Sequence, residues 1–222
     1  MDVIQAIRER HSVRNYLDKK IEQDKIQALK AKIEEVNGKG ELHLQLLEDA
    51  GKTFNRLMSR AMGLGSAPSV IACVGRDDET LDERIGYYGE QVVLLAQDLG
   101  LNTCWAGTYS KSNVPCDIAD GERLSIVIAI GYGRNQGSAH KSKTPEQVAP
   151  DIESAPEWFR FGVEMALLAP TAINQQKFEI RLDEKGEVEF NDKGGVLSKI
   201  DLGIVKYHFE AGADHIRAVD GK

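Results

Sequence analysis

The sequence predicts an α+β or mixed α/β fold in one compact unit, and three observations predict it. Apolar residues recur at helical spacing through two long segments. A β-branched run ends in glycine at residues 124–131, and the order helix, link, strand in the second half echoes the first.

Residues 2–9 read as a short helix with Val3, Ile4 and Ile7 on one side, giving way to an extended, polar stretch at Arg10–Tyr16. In Glu22–Val36, Ile26, Leu29, Ile33 and Val36 mark a second helix, and Asn37-Gly38 supplies the expected left-handed stop. Leu42, Leu44 and Leu46 alternate as one face of a strand. Pro68 precedes a strand-length apolar run, Ser69–Gly75, and a long helix is expected from Asp78 to Leu99, stopping at Gly100. Thr103–Gly107 is a short apolar run. Leu124–Ile130 should be a strand central in a sheet. From Gly131 to Pro150 the composition turns to Gly, Ser, Lys, Asn and Pro, which marks an internal boundary between residues 1–150 and 151–222. Beyond it come a helix at Pro156–Leu168, a hairpin of Phe178–Leu182 and Val188–Phe190, and a closing helix at Ile200–Ala213.

At 222 residues, 41% hydrophobic and 28% charged, the chain has the composition of an ordinary globular protein. A net charge of -7 without a basic block argues against nucleic acid or an anionic membrane as the partner and favours a small molecule. Cys73, Cys104 and Cys116 are an odd number without metal spacing, so reduced structural thiols and no metal site are expected. No window is apolar enough for a secretory or membrane segment, which predicts a soluble, cytoplasmic protein.

Two segments carry chemistry. In an extended chain Arg10, Ser12 and Arg14 form one row and His11 and Val13 the other, and two guanidinium forks beside a hydroxyl suit an anion. Taken alone, basic residues after a helix are usually solvated surface. Ala169 to Phe178 takes an apolar helix through Pro170, Thr171, Asn174 and Gln176 into a strand, either to approach a flat ligand or simply to cap a turn. No GxGxxG or P-loop pattern is present, and none of the five histidines has a catalytic partner in sequence.

Four motifs together resemble the nitroreductase family. They are Arg10-His11-Ser12-Val13-Arg14, and Ala169-Pro170-Thr171-Ala172-Ile173-Asn174-Gln175-Gln176, which is similar to that family's Pro-Ser-x-x-Asn-x-Gln-Pro. The others are Gly100–Gly107 with Ile128–Tyr132, and the basic run Lys141-Ser142-Lys143-Thr144-Pro145. The resemblance implies an α+β fold with a central mixed, largely antiparallel sheet flanked by helices. It also implies non-covalent FMN, reduced by NADH or NADPH and reoxidised by a nitroaromatic, quinone or similar small acceptor.

By the same resemblance, Arg10, His11 and Ser12 meet the phosphate and ribityl chain, with Lys143 or Lys141 at the phosphate. Arg14 lies near the pyrimidine edge, where a cation stabilises the charge of the reduced ring. Trp105, Ala106 and Gly107 border the ring, and Pro170, Thr171, Asn174 and Gln176 reach the cofactor across an interface. The flavin carries the redox chemistry, so no acid–base dyad is required.

The motif order departs from the family. The Pro-Ser-x-x-Asn counterpart follows the second helix in typical members but arrives here near residue 170, and Gly133, Lys177 and Phe178 replace two prolines and a tryptophan. Familiar members are homodimers in which each FMN draws one motif from each subunit. The present order predicts either a monomeric internal pseudo-dimer, with one FMN between residues 1–150 and 151–222, or a homodimer. A flavin-binding protein without turnover, a sensor, store or assembly partner, is the alternative function.

Overall fold

The computed structural model describes residues 1–50, 52–54 and 67–219. Helix α1 (Val3–Glu9) buries Ile4, Ala6 and Ile7, and the chain leaves it in extended conformation at Arg10. Helix α2 (Gln23–Gly40) buries the predicted stripe Ile26, Leu29, Ile33 and Val36. It does not stop at Asn37-Gly38. The left-handed residue is Glu41, at φ 49°, because the Asn37 amide is engaged elsewhere: its Oδ1 accepts Leu44 N–H at 2.8 Å and its Nδ2 donates to Leu44 O at 3.0 Å. A side chain thus satisfies the edge of the first strand.

Strands β1 (Leu42–Leu47), β2 (Ser69–Arg76), β3 (Asn102–Ala106) and β4 (Glu122–Gly131) form an antiparallel sheet in the order β1-β2-β4-β3, so the β-branched run is indeed interior. Alternation sends Ile71, Cys73, Ile126, Ile128 and Ile130 to one face. Val70, Ala72, Val127 and Ala129 go to the other. The β3 edge is closed by the segment after α1, where Val13 N–H donates to Thr103 O at 3.0 Å and Ser12 bridges Thr103 in parallel.

Helix α3 (Leu81–Asp98) covers the isoleucine face. The 131–150 stretch contains one short helix, α4 (Pro145–Val148), begun by a Thr144 capping box. Beyond it lie α5 (Glu157–Ala166), the hairpin β5 (Phe178–Leu182) with β6 (Val188–Asp192), and α6 (Ser198–Val219).

Helices α3 and α6 cross with glycines on both sides of the contact. A Cβ on Gly86 would collide with Ile200 O, and one on Gly203 with Glu83 O. Only bare backbone permits that approach. The largest core cluster runs from Ile21 to Ala213, so both halves of the chain contribute to it. No described helix is long and apolar enough to cross a membrane. Cys73 and Cys104 are buried thiols and Cys116 is half-buried; burial pushes the Cys73 thiol well up.

Candidate functional site

A cavity of about 510 Å³ opens where the 10–16 segment, β3 and the start of α6 converge. The first half of the chain contributes Ser12 and Arg14, Cys104 and Trp105 of β3, Gly107 and Thr108, and Ile126 of β4. Pro170, Thr171, Ala172 and Ile173 enter from the link after α5. Val196, Leu197, Ile200, Asp201 and Ile204 complete the lining. The volume suits a small-molecule or cofactor site, and aliphatic side chains with a few polar groups make up the lining.

Ser12 and Arg14 share the predicted row, while Val13 turns into the second core cluster. Arg10 does not stay with them. Its side chain folds inward to 4% exposure, with Nε 3.8 Å from Oε1 of Glu90, because a fully buried acid on α3 must be paired. The same carboxylate accepts Trp105 Nε1–H on Oε2 at 2.8 Å, and His208 Nε2 lies 3.0 Å from Oε1. Burial pulls the Arg10 guanidinium below its ordinary pKa against the pull of Glu90. Its Nε and Nη1 find no hydrogen-bond acceptor among the described residues. A desolvated cation with free donors is an arrangement that an added anion would satisfy.

The link after α5 is unusual in its backbone. Ile173, Asn174 and Gln176 all have positive φ, at 49°, 56° and 44°, and so does Leu197 at 56°. For a β-branched residue such as Ile173 this conformation is strained, and the surroundings must hold it. They do so from two sides. Asp201 accepts Ala172 N–H on both oxygens, at 2.9 and 3.1 Å, and Gln175 Nε2–H on Oδ2 at 2.7 Å. On the other side Gln176, 3% exposed, accepts Lys143 N–H at 2.8 Å and donates to Lys141 O and Asn174 Oδ1, both at 2.9 Å. Asn174 also donates to Lys141 O at 2.9 Å, and Lys143 Nζ–H donates to Gln176 O at 2.6 Å.

Of the sequence-predicted residues, then, the cavity gathers Ser12, Arg14, Trp105, Gly107, Pro170 and Thr171. Ala106 is buried beside them in the second core cluster. Asn174 and Gln176 lash the Lys141–Lys143 loop to the link instead of lining the cavity, and Lys143 is spent on the same lashing. His11 is half-buried outside the lining, its pKa lowered by burial and by Arg10. The sequence reading missed Cys104, Thr108 and Ile126, the α6 lining and the Glu90–His208 contact. One signal was present: Ile200, Asp201 and Ile204 set an acid in the apolar stripe of an amphipathic helix.

Burial raises the Asp201 carboxyl from 3.8 to about 6, against the lowering effect of the Gln175 and Ala172 donors. The Cys104 thiol is raised by burial as well.

A family model described as "Putative TM nitroreductase" matches residues 2–213. The crystal structure of a "putative nitroreductase" from Thermotoga maritima MSB8 is 25% identical, with TM-score 0.68, covering 98% of this chain and 86% of that one. Two others share the fold at TM-score 0.51. A "putative nitroreductase in complex with FMN" from Desulfovibrio desulfuricans is 19% identical over 65% of this chain and 94% of its own. The nitroreductase family protein from Streptococcus pneumoniae TIGR4 is 14% identical over 65% and 97%. No curated protein matches the sequence. The family model spans nearly the whole chain and the antiparallel sheet flanked by helices is shared with the solved structure from Thermotoga maritima, so this chain belongs to the nitroreductase family.

Proposed function

We propose that the chain is an FMN-dependent oxidoreductase that takes hydride from NADH or NADPH and passes it to a nitroaromatic, quinone or similar small acceptor. One observation carries the reading: a single cavity brings Ser12 and Arg14 together with Pro170 and Thr171, which belong to two of the four motifs by which the chain resembles the nitroreductase family. The residues present fit FMN. Ser12 and Arg14 supply a hydroxyl and a cation in the lining, and the cavity has the volume of a cofactor site.

In this reading Ser12 holds the phosphate and ribityl end from the cavity lining, with the Lys141–Lys143 loop beside it, while Arg10, folded beneath the site against Glu90, acts through that ion pair. Arg14 stabilises negative charge at the pyrimidine edge. Trp105, Ala106, Gly107 and Thr171 border the ring, and Asn174 and Gln176 act by fixing the basic loop. The cofactor, when bound, supplies reversible two-electron hydride chemistry; the protein supplies position, field and exclusion of water. Both motifs reach one cavity within one chain, which favours the internal pseudo-dimer of residues 1–150 and 151–222 with one FMN per monomer. Titration with FMN under anaerobic conditions, followed by NADH and NADPH, tests the function. Solution mass tests the assembly: a single-chain mass is expected, and a dimer carrying two flavins would contradict it.

A further inference from the structure

We propose that Asp201 is the proton donor to the oxidising substrate, a quinone-type carbonyl acceptor lodged against the aliphatic side of the cavity. The proposal rests on the oxidoreductase reading of this site and adds to it a residue that the flavin chemistry leaves open. Reduction of a quinone to a hydroquinone takes one hydride and one proton, and the bound flavin accounts for the hydride alone. That one proton needs a source where bulk water is scarce.

Asp201 is the carboxyl group in the cavity lining, and it is 8% exposed. Ile200 and Ile204, its neighbours on α6, and Leu197 before them present hydrocarbon on either side. Val196 and Ile173, 61% and 87% exposed, extend that apolar surface outward, so an uncharged, flat acceptor is favoured over an anionic one. Asp201 forms no ion pair among the described residues. The groups facing it are Ala172 N–H and the Gln175 amide from the link and Asp192 at the end of β6, while Arg14 and Cys104 belong to the lining contributed by the first half. Oδ2 carries the Gln175 bond and the longer Ala172 contact; Oδ1 accepts Ala172 N–H alone and is the oxygen left to hold a proton.

In the step, the Asp201 O–H bond breaks as an O–H bond forms on the acceptor oxygen, and the carboxylate left behind takes a proton back from solvent. Burial opposes that carboxylate more than its two donors favour it, which places the group near the pH at which a general acid works.

The test compares wild type with Asp201→Asn, which keeps an oxygen for Ala172 N–H. First, in the full chain, carbon-13 NMR of the aspartate carboxyls should show one group titrating near pH 6 that is missing from the variant; an Asp201 titrating near 3.8 would overturn the proposal. Second, in the FMN-loaded protein, turnover is measured with benzoquinone, which takes up protons, and with ferricyanide, which takes electrons only. The benzoquinone-to-ferricyanide ratio should fall roughly 100-fold in the variant, and the decline of wild-type benzoquinone turnover above pH 6 should disappear. Equal losses with both acceptors would mean that Asp201 merely holds the link, and an unchanged ratio would mean that it does not donate; either overturns the proposal alone. Wild-type flavin that neither nicotinamide bleaches overturns the oxidoreductase reading and the proposal with it.

Discussion

The indole N–H of Trp105 donates to Oε2 of Glu90 at 2.8 Å, joining a cavity-lining side chain to a fully buried acid on α3. Through its other oxygen Glu90 faces both Arg10 and His208, so one carboxylate orients the indole and compensates the buried guanidinium. Neighbouring elements of both halves of the chain therefore meet at one charge beneath the candidate site.

Replacing Glu90 by Gln preserves shape and removes that charge. Arg10 would then be a buried cation without a partner, and destabilisation of about 3–5 kcal/mol is expected. Urea denaturation measures it. Identical stability in variant and wild type would contradict the pairing.

Replacing Gly203 by Ala places a methyl group on the Glu83 carbonyl at the α3–α6 crossing. The helices must separate, at a cost of roughly 1–3 kcal/mol. A fall in thermal midpoint is expected, and since Leu197, Ile200, Asp201 and Ile204 are carried by the same region of chain, weaker FMN binding should accompany it.

Replacing Arg14 by Ala removes an exposed cation from the cavity lining. Stopped-flow bleaching by NADH should slow at least tenfold, as expected when a group that stabilises developing charge is lost. The thermal midpoint should stay where it was, since nothing in the core depends on this side chain.

Asp201 also makes stability depend on pH. Its carboxyl is raised from 3.8 to about 6 on folding, so the folded state holds its proton more tightly than the unfolded chain. The contribution is fully present below 3.8, is lost as pH rises through about 6, and amounts to on the order of 3 kcal/mol. Denaturation of wild type and Asp201→Asn at pH 3.5, 5 and 7 should show the variant gaining relative stability as pH rises.

How much of this was legible in the sequence follows the range of each interaction. The stripe Ile26, Leu29, Ile33 and Val36, the run Leu124–Ile130 and the hairpin around residues 184–186 are local periodicities, and the structure keeps them. The end of α2 was misread because Asn37 has a partner, Leu44, that only the folded strand supplies. Ser12, Arg14 and Thr171 could be picked out by motif. The use of Gln176 and Asn174 as a lashing for residues 141–143 could not, since an amide, which can both donate and accept, does not announce which partner it will meet 33 residues away. Glu90 and His208, 118 residues apart, left no periodic trace at all.

The central claim is that this one chain holds a reducible flavin, and the visible spectrum tests it directly. FMN added to the purified protein should bind at one equivalent per chain, show the shifted absorbance of an enclosed flavin, and bleach anaerobically on addition of NADH or NADPH. Flavin that binds but stays oxidised with both donors would make the chain a flavin-binding protein without turnover, and protein that takes up no FMN would contradict the assignment of the site itself.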